Sequence, residues 1–193
     1  MNLLLARIQG LLLDPRGEWA KIDRESGEPA HLFLNYVAIL ALIPALAEFI
    51  GASIIGFTVS VGTFRVPVLT GLLNALISYL FSFVLVYVVA LVIDALAPSF
   101  GTARQFPSAL KLSVYSFTPA WLAGIFLLVP GLNFLTIAGL YGFYLLWVGL
   151  PIVMRTPRER ALPYAASVTI CALVVTFGLA LIQSAIAALP SAG

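Results

Sequence analysis

The residues best placed to do chemistry in this chain are two carboxylates, Glu48 and Asp94, set in long apolar runs. An acid near the centre of a bilayer costs about 2.5 to 3.5 kcal/mol on insertion scales, so each needs a partner, a water-filled cavity or a proton. Three readings of Glu48 stand: an ion pair with Arg65, a protonated and hydrogen-bonded carboxyl, or the wall of a polar pathway. Asp94 falls near the end of its run, where capping, or pairing with Arg104 or Lys111, accounts for it. The two acids are expected toward opposite membrane faces, which argues against a joint acid and base. Asn74, Ser78 and Ser82 recur every four residues, and so form a stripe whose default role is close helix contact, with a polar route as the alternative.

No other group has the spacing of a reactive or ligand site. The sequence holds no Ser/His/Asp set, His-Glu-x-x-His, Gly-rich phosphate loop or carboxylate pair at neighbouring helical positions. His31 stands alone, and Cys171 has no Cys or His at ligand spacing and no partner for an intramolecular disulfide. The sequence therefore predicts no catalytic, cofactor-binding or metal-binding residue, and a protein that is not an enzyme.

The elements that position Glu48 and Asp94 follow from composition. Of 193 residues, 62% are hydrophobic and only 9% charged, with a mean hydropathy of +1.08. Soluble domains are about one quarter charged and up to roughly half apolar, so the excess apolar surface must face lipid. A formal charge of +2 from scattered Lys and Arg lacks the basic face that nucleic acid binding requires. The expected fold class is all-α: a polytopic membrane protein, a bundle of about five transmembrane helices with a short N-terminal interfacial helix.

About 20 apolar residues are needed to cross roughly 30 Å of hydrocarbon. By that length, spans are predicted near residues 32–55, 71–97, 111–129, 133–154 and 163–189. The organisation is then a cytoplasmic or interfacial segment, 1–31, and a five-helix transmembrane domain, 32–193. Arg7, Arg16, Lys21, Arg24, Arg104, Lys111, Arg155, Arg158 and Arg160 fall on one side of these spans and Arg65 alone on the other. Cytoplasmic loops are enriched in Lys and Arg, so the expected location is a plasma (inner) membrane, with the N-terminus cytoplasmic and the C-terminus outside.

Residues 1–13 lack an Ala-x-Ala cleavage pattern and are interrupted by Arg7, so they are not read as a signal peptide. Leu4, Leu5, Ile8, Leu11 and Leu12 share one side at helical spacing; such a helix lies in the headgroup region or against the bundle. Asp14 before Pro15 predicts the start of a second short helix, with Trp19 at the membrane interface. Pro130-Gly131 predicts a tight turn joining spans three and four. Thr156-Pro157 with Glu159 matches a capping box, starting a helix at Pro157. Between Gly56 and Thr70, alternating Phe57, Val59 and Val61 suggest a short hairpin or re-entrant turn.

Pro44, Pro119 and Pro151 interrupt spans, and each frees a backbone carbonyl that lipid cannot satisfy. Ser116 and Thr118 are the nearest hydroxyls to Pro119, and Gly139 and Gly142 suit close helix contact.

Several short motifs, in order and spacing, resemble the Yip1 domain family in its bacterial form over nearly the whole chain. They are Asp14-Pro15-Arg16-Gly17-Glu18-Trp19-Ala20-Lys21-Ile22, Ile50-Gly51-Ala52-Ser53-Ile54-Ile55-Gly56, and Phe100-Gly101-Thr102 with Phe106. The most distinctive is Tyr115-Ser116-Phe117-Thr118-Pro119, followed by Pro130 and Tyr144-Leu145-Leu146-Trp147-Val148-Gly149-Leu150-Pro151. The resemblance marks Tyr115, Ser116 and Pro119 as family-motif positions and implies a five-span bundle with a cytoplasmic N-terminal segment. In eukaryotic relatives it also implies interaction with Rab GTPases in early secretory traffic. The long acidic cytoplasmic region of many such members is missing, so GTPase binding is not carried over.

Two function classes remain. In one, the bundle and its N-terminal helix organise membrane by binding lipids, a membrane-protein partner or a second copy of the chain. In that class Arg155, Arg158 and Arg160 are candidate contacts to lipid headgroups. In the other, a small α-helical transporter or channel has a polar pathway near Glu48, Asn74 and Ser78.

Overall fold

Within lipid, backbone N–H and C=O groups have no water to bond, so apolar runs must satisfy them internally as helices. The computed structural model describes residues 3–25, 28–59 and 62–188. Five of its helices are long and apolar enough to cross a membrane: Pro29–Ile55, Val68–Phe100, Phe106–Leu128, Asn133–Val153 and Arg158–Ile186. These are spans one to five. Span three begins five residues before its predicted position, with Pro107 in the first turn of its helix, where the missing N–H costs no intrahelical bond; the helix of span five starts at Arg158 and runs on through Pro163.

Two short helices, α1 (Leu3–Leu13) and α2 (Pro15–Arg24), precede the spans. Asp14 caps α2 as its sequence predicts, with Oδ1 accepting from the Gly17 N–H at 3.1 Å and Pro15 opening the helix. Between spans one and two, β1 (Phe57–Val59) and β2 (Gly62–Phe64) pair antiparallel, Phe57 opposite Phe64. The expected alternation at Val61 lies outside the described residues. Spans three and four join through the Pro130-Gly131 turn: Leu132 N–H donates to Val129 O at 3.0 Å, and Gly131 has φ +102°, the left-handed geometry that a type II turn requires.

The capping box at the start of span five is not formed. The helix begins at Arg158, and the Thr156 hydroxyl caps nothing: it is buried, at 3% exposure, without a hydrogen-bond partner. Arg155 instead turns the chain there with φ +58°.

Span three is the centre of the bundle, with 61% of its apolar window buried against 11% for span five. The largest fully buried side chains, among them Trp19, Leu110, Leu112, Leu150 and Tyr164, gather toward the end of the bundle where Lys111 and Arg155 lie. Side chains such as Leu69, Val174 and Phe177 face outward, about 70% exposed, as expected of a lipid-facing surface.

Candidate functional site

Trp19 was expected at the membrane interface; it is fully buried. The physical reason is a complementary notch. A Cβ on Gly149 of span four would lie 2.7 Å from the Trp19 ring and 2.6 Å from Leu112, so only glycine lets the indole seat there. Trp19 also meets the edge of Tyr115 at 6.2 Å between centroids.

Three contacts fix how α2 runs along span four. Asp23 is ion-paired with Arg155 at 2.7 Å, just beyond the basic end of the span. Trp19 sits at Gly149, and the Leu12 carbonyl accepts from the Tyr141 hydroxyl at 3.1 Å. Tyr141 is twelve residues from Val153 along a continuous α-helix, about 18 Å at 1.5 Å per residue. The turn between α1 and α2 therefore reaches the middle of span four. α1 returns beside α2, so the pair forms a helical hairpin inserted lengthwise from the basic end. Leu11 is buried, whereas Leu3 and Leu13 are 88% and 84% exposed, leaving an apolar tip and flank for lipid.

The charged groups on the hairpin's inner side are paired, as burial demands, whereas the buried Trp19 indole N–H has no hydrogen-bond partner. Arg7 of α1 bonds Glu18 at 2.6 Å and also Glu25, and Glu18 bonds Lys21 at 2.8 Å. Burial works against the Arg7 charge, but the bond to Glu25 and the fields of Tyr115, Glu25 and Glu18 outweigh it and raise its pKa. The Arg7 guanidinium lies 5.5 Å over the Tyr115 ring. Lys111 of span three donates to the Ile22 carbonyl at 3.1 Å, to Asp23 O at 3.4 Å and to Glu25 O. A cation at these orphan carbonyls satisfies and electrostatically favours the C-terminus of α2.

Lys111 is thus not the partner of Asp94. Neither Arg104 nor Lys111 pairs with Asp94 among the described residues, and Asp94 Oδ1 is buried without a hydrogen bond. The cation is held instead by α2.

Glu48 likewise does not pair with Arg65. Arg65 is drawn to its own loop, where Nε donates to Ile55 O at 3.4 Å. Glu48 Oε2 accepts a long bond, 3.5 Å, from Ser78. Ser78 in turn accepts from Gln183 Nε2 of span five at 2.9 Å, and Gln183 also reaches Asn74 O at 3.4 Å. Spans one, two and five therefore meet at one small polar cluster. Glu48 borders a cavity of about 280 Å³ with Gly51, Phe57, Leu127, Pro130 and Asn133, at the end opposite the basic one. With no ion pair between them, Glu48→Gln and Arg65→Gln should have additive effects on thermal unfolding, within about 0.3–0.5 kcal/mol. A larger coupling would show that the two side chains interact.

Around Pro119 the hydroxyl of Thr118 supplies what the proline removes. Its Oγ1 donates to Tyr115 O at 2.7 Å, the carbonyl four residues before the missing N–H. With its proton so used, Thr118 must accept from the Tyr36 hydroxyl at 2.8 Å, which ties span one to span three. Ser116 has no such role: its hydroxyl is buried without a partner, beside an apolar cavity of about 160 Å³ among spans two to five. Tyr115 is 5% exposed and meets Tyr36 edge-on at 4.8 Å.

The three arginines after span four diverge. Arg155 is held by Asp23, and Arg160 faces Gly101 at the end of span two. Arg158 lines a cleft with Arg16 and Trp147. Among the described residues there is no cluster of three or more His, Cys, Asp or Glu suited to a metal.

The Yip1 domain model matches residues 10–180, a stretch that takes in α2 and almost all of the five spans. The inner membrane protein YohC of Escherichia coli K12 is 30% identical over 169 residues, covering 84% of this chain and 86% of YohC. YohC of Escherichia coli O6:H1 matches to the same extent. No solved structure matches the chain.

Proposed function

Because the chain belongs to the Yip1 domain family, an integral membrane protein with five apolar helices, we propose that it organises the membrane around it without enzymatic chemistry. Its α1–α2 hairpin serves as a wedge in one leaflet. The observation that carries this reading is the Leu12 to Tyr141 bond, halfway along span four. The positive-inside rule puts the hairpin's end in the cytoplasm, and the inner membrane location of YohC makes the cytoplasmic leaflet of that membrane the one displaced. A body that fills one leaflet as far as the bilayer middle and is absent from the other expands one side of the bilayer and favours curvature toward the opposite side.

A polar transport route is supported less. Glu48 is engaged with Ser78, and Ser78 with Gln183. Toward the basic end the bundle is filled by Tyr36, Tyr115, Leu145 and Leu150.

The test is vesicle shape. Reconstituted at rising protein-to-lipid ratio, the protein should narrow vesicles seen by cryo-electron microscopy, and the hairpin-releasing variant Gly149→Leu should narrow them less. Equal diameters with and without protein would contradict the wedge.

A further inference from the structure

We propose that the cleft between α2 and spans four and five binds the phosphate of an anionic phospholipid from the leaflet that the hairpin enters. This rests on the lipid-organising reading above and gives it a ligand.

The cleft, about 250 Å³, is walled by Arg16, Tyr144, Trp147, Pro151, Ile152 and Arg158, among others, and no carboxylate lines it. Its two arginines differ from those nearby. Arg7 and Arg155 are spent on ion pairs, whereas Arg16 and Arg158 are exposed and have no hydrogen bond or ion pair among the described residues.

Depth makes Arg16 informative. It lies in the first turn of α2, close to the hairpin's turn, and shares the cleft with Tyr144 and Trp147. Those residues are nine and six positions from Val153, about 14 and 9 Å along the helix. A guanidinium carried below the end of a span is costly unless it meets an anion or extends to the interface. Arg158 opens span five at the rim, so the cleft has one cation below and one at its mouth. Guanidinium groups recognise phosphate oxygens through paired N–H donors.

The remaining walls fit a lipid better than free phosphate. Trp147 is 39% exposed, and its indole N–H and the Tyr144 hydroxyl are donors that can reach the ester and glycerol oxygens below a phosphate. Ile152 and Val148 supply apolar surface beside them. A phosphodiester would lie between the guanidinium groups with its glycerol against the aromatic rings.

The experiment is native mass spectrometry of the purified protein after exposure to an equal mixture of phosphatidylglycerol and phosphatidylcholine. Basic residues near a membrane contribute about 1 kcal/mol each toward anionic lipid, so two imply a preference of roughly thirty-fold. Arg16→Gln/Arg158→Gln should lose that preference while unfolding at the same temperature, since neither side chain has a protein partner. Arg24→Gln/Arg104→Gln, which removes the same charge elsewhere, should keep it. Loss of preference in both double variants would reduce the effect to net charge and overturn the site. Stabilisation by inorganic phosphate equal to that by phosphatidylglycerol would overturn the lipid assignment. If the wild-type protein narrows vesicles yet shows no lipid preference, the cleft proposal fails and the wedge stands.

Discussion

Trp19→Ala should lower stability by about 3–5 kcal/mol, the range for deleting a large aromatic from a core that cannot collapse around the gap. Trp19 is fully buried, and its neighbours, Gly149 and Leu112 of two spans and Tyr115, are held by helices that cannot move inward independently. Gly149→Leu attacks the same seat from the other side, forcing a side chain into space the indole occupies; overpacking of this kind costs about 1–3 kcal/mol or more. Both changes undo one contact, so the double variant should cost clearly less than the sum. Thermal unfolding in detergent measures all three. A Trp19→Ala effect under about 0.5 kcal/mol would mean that the hairpin is not seated on span four.

The second large effect belongs to Arg7. Arg7→Leu should cost about 3 kcal/mol, since removing one partner of a buried ion pair leaves the other uncompensated. Glu18, whose side chain is 6% exposed, would keep only Lys21, and Glu25 would lose its partner. The contact over the Tyr115 ring would go as well. Replacing both members, Arg7→Leu/Glu18→Leu, should recover much of the loss, because apolar residues of similar size are often no worse than a buried pair. Lys21 can then return to solvent, its side chain already 71% exposed. A double variant as unstable as the sum of the single ones would show that Arg7 and Glu18 act separately.

These two predictions rest on the part of the molecule that was hardest to read in advance. The spans were legible because their apolar runs are long and hydrocarbon thickness leaves little choice of element. The Asp14 cap and the Pro130-Gly131 turn were legible because each is a local device with its own residue chemistry. α2 was not. Pro15–Arg24 is polar enough to read as a solvated helix carrying an interfacial tryptophan, but Glu18 serves Arg7 on α1, and Lys111, read as a loop charge, closes the end of α2. Pairings across such distances in the chain leave no periodic trace. The polar cluster at Glu48 was half legible. Glu48, Asn74 and Ser78 stood out in apolar runs, and Gln183 carries the same signal in span five, but helix rotation decides which of them meet. The Arg65 pairing failed for that reason: a charge that is near in sequence order is held by its own loop.

Most directly testable is the depth of the α1–α2 turn, which belongs near the middle of the bilayer, at the base of the cytoplasmic leaflet. The direct measurement attaches one fluorophore in a Cys171→Ser background, at Leu13→Cys in the turn or at Arg24→Cys at the end of α2, in vesicles whose lipids carry bromines at known depths. At position 13 the strongest quenching should come from bromines deep in the acyl chains, and at position 24 from bromines near the headgroups. Strongest quenching by the shallow lipids at both positions would place the hairpin flat on the surface and contradict the account.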